Sequence, residues 1–283
     1  MLNFKPMDIC VFCKEKPTTS SSIEHIVPES LGNKTHVLPK GTVCDRCNSY
    51  FALKVEKKAL ETDFFRSLRH RNRIESKKGK IPRGEAIIPK TNYKAELSIP
   101  KKLEEPIRVR LDAKSYELFA KGEIDYLILP WRSKLPIGDQ SVSRLLAKIG
   151  YEMMVFSLLE KEDLLIELVK DYQLDPLREY VRINSRNQIW DYNIRQIYKE
   201  NERFYTYDGD QFDMVFESTF LTTDESELYF VIAFKGFEFV INIGGHSTDG
   251  FRRWLRKYND ISPLYIDGKN FGMQLTPEFL RNQ

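Results

Sequence analysis

The sequence predicts an α+β protein in two parts, a small turn-rich N-terminal unit and a larger mixed domain. Three observations predict it. All four cysteines fall in the first segment of the chain, where Gly, Pro, Ser and Thr interrupt every apolar run. Helical spacing of apolar residues sets in near residue 45 and again near residue 140, while β-branched and aromatic residues alternate over 85–131 and 212–243. A stretch dominated by Arg and Lys separates the first helix from the first strands. These features set boundaries at 1–65, 66–84 and 85–283, and 283 residues suit two domains or one elaborate one.

Residues 1 to about 60 read as short strands and turns, punctuated by 17–22, Gly32-Asn33-Lys34 and Pro39-Lys40-Gly41. Phe51, Val55 and Ala59, then Leu60, Phe64 and Leu68, recur at helical spacing and predict one helix from Asp45 to His70. Arg66, Arg69, Arg71, Arg73, Lys77, Lys78, Lys80 and Arg83 then face a single acid, Glu75. Strands are expected at 87–88, 95–99, 107–111 and 126–129. A long helix is expected over 140–172, with Leu145, Ile149, Met153 and Phe156 on one face. Asp175-Pro176 opens a short helix. A meander over 212–221, 228–234 and 237–243, with Lys235-Gly236 as a tight turn, precedes a last helix over 248–258.

Composition excludes some classes. Apolar residues are 41% and aromatics 12%, enough for a sizeable core, and charged residues are 30%. This is a folded chain, not a disordered one. The net charge of +3, from 44 basic and 41 acidic residues, says little about partners. No apolar run is long enough to span a membrane, and Met1 to Asp8 does not read as a secretory signal. A cytoplasmic, reducing location is therefore expected, where paired cysteines are more often metal ligands than disulfides.

The cysteines fall as Cys10-x-x-Cys13 and Cys44-x-x-Cys47. Each pair can turn one knuckle around a zinc ion, and two knuckles close a tetrahedral, structural site. Such an ion would also supply folding free energy to a segment too short and polar to fold alone. Between the knuckles sits Ile23-Glu24-His25-Ile26-Val27-Pro28, and immediately after the second sits Asn48.

The strings EHIVPESLGNK and VCDRCN, followed by a helix, resemble the HNH (ββα-metal) endonuclease family, in particular members braced by two CxxC knuckles. The resemblance covers about residues 8–60. It implies that His25 is the general base for the attacking water. It implies that Glu24 and Asn48 hold a catalytic divalent metal, Mg²⁺ or Mn²⁺. Where the family more often has Asp, this chain has the longer Glu24. The residue that orients the base is not placed by the resemblance, Asn33 and His36 both being candidates. The chemistry is sound on its own terms, since a neutral imidazole is a suitable base and an oxygen-bound divalent ion stabilises developing negative charge. Consecutive strand residues would point Glu24 and His25 to opposite sides.

The resemblance makes nucleic acid the expected partner, DNA favoured, with no membrane, and suggests restriction or other anti-phage defence, with a second copy or a defence-system protein as further partners. Arg66, Arg69, Arg71, Arg73, Lys77 and Lys78 are expected to contact phosphate, the alternative being a solvated linker. Residues 85–283 are expected to select the target or sense a partner. Glu56 reads as a solvated helix residue, with approach to the metal or to Glu24 as the alternative. His36 reads as a surface loop residue rather than a ligand, His70 as part of the basic stretch with a phosphate contact at most, and His246 as structural. Trp131, Trp190, Tyr192 and Trp254 read as core. Arg252, Arg253, Arg256 and Lys257 form a small basic helix, either a second nucleic-acid contact or a solvated face. Two rivals stand beside the nuclease: a non-catalytic zinc module that binds nucleic acid, and a zinc-stabilised protein-interaction domain. The first does not need Glu24, His25 and Asn48, and the basic stretch argues against the second.

Overall fold

The computed structural model describes residues 9–16, 20–102, 104–130, 134–184, 188–206 and 208–266. In chain order the elements are β1 (Glu24–His25), a 3-10 turn (Glu29–Leu31), β2 (Val37–Leu38) and α1 (Asp45–Phe51). A π-helical turn (Ala52–Glu56) and α2 (Lys57–Leu60) continue α1. Then come α3 (Asp63–Arg71), β3 (Gly84–Ile87), β4 (Lys94–Ser98), β5 (Arg108–Arg110), α4 (Ala113–Ala120), α5 (Gln140–Ser157), α6 (Glu162–Lys170), a 3-10 turn (Tyr172–Leu174) and α7 (Asp175–Arg182). The chain ends with β6 (Tyr192–Gln196), β7 (Phe204–Tyr205), β8 (Gln211–Phe212), β9 (Phe216–Thr222), β10 (Leu228–Phe234), β11 (Phe237–Asn242), α8 (Asp249–Lys257) and α9 (Pro263–Ile266). The protein is α+β, with a ββα unit at its N-terminal end.

The chain forms two compact units. One comprises Met1–Pro28, Asn33–Lys58 and Ile137–Gln283, the other Glu29–Gly32 and Ala59–Pro136. The ββα unit therefore shares a core with the residues after Ile137, and these units divide at points other than the compositional boundaries at 65 and 84.

The first unit is built on a four-stranded antiparallel sheet in the order β6-β11-β10-β9. β10 and β11 are joined by Lys235-Gly236, both at positive φ, as a two-residue hairpin turn requires. A Cβ at Gly236 would stand 2.2 Å from the Tyr198 carbonyl oxygen, so only glycine fits. On one face, Tyr229, Val231, Ala233 and Val240 pack with Phe251, Trp254, Leu255 and Leu264 of α8 and α9. α5 approaches the sheet at Gly150, where a Cβ would meet Phe230 and Ile243 at 3.1 and 2.9 Å. Trp190, Tyr192 and Trp254 are buried as expected; Trp131 lies outside the described residues. Strand β6 has no counterpart in the expectations, because Tyr-Asn-Ile-Arg-Gln carries too few apolar residues to alternate visibly.

Two long helices of the sequence reading are each broken in two. The helix expected over 45–70 stops at Leu60 because Thr62 caps a new one: its hydroxyl accepts from the Phe65 N–H and donates to the Ala59 carbonyl. The helix expected over 140–172 ends at Ser157 in a tight turn, and α6 restarts with Glu162 and Asp163 in its first turn, where acids favour a helix N-terminus.

The second unit carries the three-stranded antiparallel sheet β3-β4-β5. Ala86, Ile88, Ala95, Leu97 and Ile124 form its core with Leu111, Leu118, Phe119 and Leu127. This unit holds 18 Lys and Arg against 12 Asp and Glu, whereas the other holds 26 against 29. The basic excess of the chain is thus confined to the unit containing 66–83.

Candidate metal centre and catalytic hairpin

The four cysteines converge. Their sulfur atoms all lie within 4.8 Å of one another, with Cys13 Sγ and Cys44 Sγ 3.8 Å apart. Around zinc at about 2.3 Å, tetrahedral sulfurs stand about 3.8 Å from each other, so the donor set fits that ion. Backbone amides hold the sulfurs: Cys44 N–H donates to Cys10 Sγ at 3.4 Å and Cys47 N–H to Cys44 Sγ at 3.5 Å. Cys44 thereby caps α1 with its own side chain. A hydrogen bond from Cys47 draws the Cys10 thiol down to about 5, while the same bond and burial push Cys47 far up. So crowded a set of thiols, three of them buried, cannot all ionise without a cation among them.

β1 and β2 form a minimal antiparallel pair, Glu24 opposite Leu38 and His25 opposite Val37. So short a ladder needs a staple, and Asn33 supplies it. Its buried amide donates to the carbonyls of Val27 (2.7 Å) and His36 (2.8 Å) and accepts from the N–H groups of Thr35 (3.0 Å) and His36 (2.9 Å). Every hydrogen-bonding capacity of Asn33 is spent on the loop between the strands. Of the two residues weighed as the orienter of His25, Asn33 is thus bonded to backbone, and the His36 ring packs against Phe156 and Phe216. Asn48, in the first turns of α1, donates from Nδ2 to the Ile23 carbonyl at 3.3 Å, which ties the helix start to the residue before Glu24. Its Oδ1 is left as the atom that could accept a cation.

Glu24 is only 4% exposed, and its carboxylate meets Lys148 of α5, Oε1 to Nζ 2.7 Å. Lys148 is fully buried and also meets Glu56 at 3.0 Å and Glu152 at 2.8 Å. Its ammonium donates to the His25 carbonyl at 3.2 Å and the Ile26 carbonyl at 3.5 Å. Burial opposes the charge on Lys148, and the carboxylates of Glu152, Glu24 and Glu56 outweigh it, holding the ammonium protonated. Burial pushes Glu24 and Glu152 upward, offset in part by Lys148. Glu24 Oε2 is buried with no hydrogen-bond partner among the described residues. A divalent ion on that oxygen would meet a need the protein leaves open, and with Lys148 it would balance the three carboxylates. The donor chemistry of Glu24 and Asn48 fits such an ion.

Residues 10–64 match the HNH endonuclease family. No curated protein and no solved structure matches the chain. The HNH unit thus rests on both its sequence motif and its hairpin and cysteine geometry.

Around the HNH unit, Glu56 corrects the expectation of a solvated residue: it is 18% exposed on its side chain and sits in the Lys148 cluster. The π-helical turn Ala52–Glu56 ends on it, and such turns recur at functional sites. Lys148 and Glu152 were not singled out from sequence at all. Their signal was a charged stripe, Arg144, Lys148 and Glu152 at four-residue spacing, on a helix with no other charged residue.

In the second unit, Arg66 pairs with Asp63 and Glu85, and Lys77 with Glu29. Arg69 is buried, which leaves it out of a surface contact. Arg71 and Arg73 are half-buried and Lys78 is exposed. The His70 ring is half-buried against the Pro82 carbonyl. His246 stacks on Trp190 with ring centres 3.9 Å apart. Arg252, Arg253 and Lys257 pair with Asp249, Glu225 and Asp224. Among the described residues, no helix is long and apolar enough to cross a membrane.

Proposed function

We propose that this protein is a metal-dependent nuclease that hydrolyses phosphodiester bonds, DNA being the favoured substrate, with His25 as general base and Glu24 and Asn48 as ligands of one Mg²⁺ or Mn²⁺. The observation that carries the reading is the tie between Asn48 and the start of β1, which brings the helix residue beside Glu24 within a segment that matches the HNH endonuclease family. His25 takes a proton from water as its oxygen attacks phosphorus, and the bond from phosphorus to the leaving oxygen breaks. The divalent ion that Glu24 and Asn48 would hold supplies charge neutralisation at the leaving oxygen. The zinc held by Cys10, Cys13, Cys44 and Cys47 is structural, because all four tetrahedral positions are taken by protein. The basic unit supplies phosphate contacts, from Arg71, Arg73, Lys77 and Lys78 among the residues weighed, which position the substrate without selecting sequence.

One observation favours the rival reading of a non-catalytic zinc module that binds nucleic acid: Glu24 already has a cation, Lys148. A plasmid-cleavage assay with Mg²⁺ or Mn²⁺ separates the two, comparing the wild type with His25→Ala after both are shown to hold one zinc per chain. Nicking or linearisation by the wild type, lost by about 100-fold or more in the variant, is expected from removal of a general base. A wild type that binds DNA but cuts neither DNA nor RNA gives the protein to the binding-module reading.

A further inference from the structure

We infer that Lys148 is a positioning residue of the nuclease centre: its ammonium fixes Glu24 so that one carboxylate oxygen is held and the other is presented to the metal. The inference rests on the nuclease reading above and names the residue, contributed by α5, that completes that site.

The geometry is specific. Lys148 Nζ contacts Glu24 Oε1 at 2.7 Å and leaves Oε2 buried without a hydrogen-bond partner among the described residues. The same ammonium donates to the carbonyls of His25 and Ile26. One side chain therefore holds the carboxylate of Glu24 and the backbone of the neighbouring His25 together. Glu152, one helical turn along α5, holds the ammonium from the far side at 2.8 Å. Glu56 closes the cluster at the end of the π-helical turn.

A buried ion pair of this kind is a poor device for stability alone, since well-packed apolar residues in its place are often neutral or stabilising. Its value lies in orientation. A carboxylate that coordinates a metal is normally fixed by a partner on its other oxygen, and losing that partner weakens metal binding or activity. Glu24 is one methylene longer than the aspartate the family more often carries, and so has an additional torsion to restrain. Lys148 restrains it. The HNH segment is thus incomplete as a site without a residue 123 positions beyond His25.

The test replaces Lys148 and Glu152 together, Lys148→Met with Glu152→Leu. This removes the positioning ammonium while keeping the net charge of the cluster, because one cation and one anion leave together. Zinc content and thermal midpoint establish that the full-length variant is folded. If it does not fold, Lys148→Gln with Glu152→Gln, which keeps polar groups at both positions and the shape of Glu152, carries the same comparison. Mn²⁺ binding is read by electron paramagnetic resonance of the free ion, and plasmid cleavage is read at saturating Mn²⁺. The expected result is Mn²⁺ affinity and kcat each reduced about 10- to 100-fold, with KM for DNA unmoved. A folded variant that binds Mn²⁺ and cuts like the wild type overturns the positioning role and leaves the nuclease standing. A wild type that neither binds Mn²⁺ nor cuts any nucleic acid overturns the nuclease reading, and this inference with it.

Discussion

The first compact unit holds two buried polar clusters of opposite construction. The cysteine cluster is made from one turn and one helix start, each supplying two sulfurs three positions apart. The Lys148 cluster is made from three separate stretches of chain, with Glu24 on a strand, Glu56 at the end of a π-helical turn, and Lys148 and Glu152 on α5. The first is a local device whose donors suit a cation from solution, and the second carries its cation as a side chain. The difference teaches that the same need, neutralising buried anions, can be met by an ion from solution or by a covalently attached ammonium. Only the former leaves a spacing in the sequence that names its chemistry.

The comparison breaks most sharply when the free cation is removed. Structural zinc contributes apparent binding energies of about 10–16 kcal/mol in zinc-finger peptides, and that energy is folding energy. Stripping zinc with a strong chelator, or making Cys44→Ser, is expected to unfold residues 10–64. Cys44 also caps α1, so the substitution removes a metal ligand and weakens a helix start. Far-ultraviolet circular dichroism and zinc content read the result. A metal-free protein with unchanged helix signal and melting temperature would show that the cluster is ornamental.

Removing the attached cation alone has the next largest effect. Lys148→Met leaves Glu24, Glu56 and Glu152 without their ammonium, and breaking a buried pair from one side costs about 3–5 kcal/mol. Chemical denaturation is expected to show a loss of that size, largely recovered when Glu152→Leu is added. A single variant as stable as the wild type would mean that the carboxyls already bind protons or water in place of Lys148.

What was legible in the sequence follows the same division. The cysteine pairs could be read because they depend on spacing within a few residues, whereas Glu24, His25 and Asn48 are candidates raised by the resemblance. The Lys235-Gly236 turn could be read because both positions need positive φ. Asn33 was visible but not its role, because a side chain that accepts from the backbone two and three residues ahead looks like any turn asparagine. Lys148 was hidden for a deeper reason. A stripe of Arg144, Lys148 and Glu152 along a helix is the ordinary signature of a solvated face. Here it faces the HNH unit: Arg144 donates to the Tyr50 hydroxyl, and Tyr151 on the same helix donates to the Val11 carbonyl. Whether a polar stripe meets water or another segment is decided by tertiary packing, which one-dimensional periodicity does not carry.

The smallest effect sharpens the contrast with a buried carboxyl outside both clusters, Glu217 on β9. Glu217 accepts from the Tyr198 hydroxyl at 2.8 Å, and burial pushes its carboxyl up to about 7. In the unfolded chain the same group titrates near 4.5. The folded state therefore binds the proton more tightly, and its contribution to stability is full below about pH 4.5 and lost as the pH rises through about 7. The shift corresponds to a difference on the order of 3 kcal/mol between the two ends of that window. Glu217→Gln keeps an acceptor for Tyr198 and removes the titration. It is expected to leave stability at pH 4.5 nearly unchanged and to raise it by roughly 1–3 kcal/mol at pH 8. Urea midpoints of wild type and variant at the two pH values measure this directly, and because every other titrating group is shared, it cancels in the difference. An equal difference at both pH values would mean that Glu217 is ionised in the fold throughout. Burial would then be opposed there by a cation, as it is for Glu24.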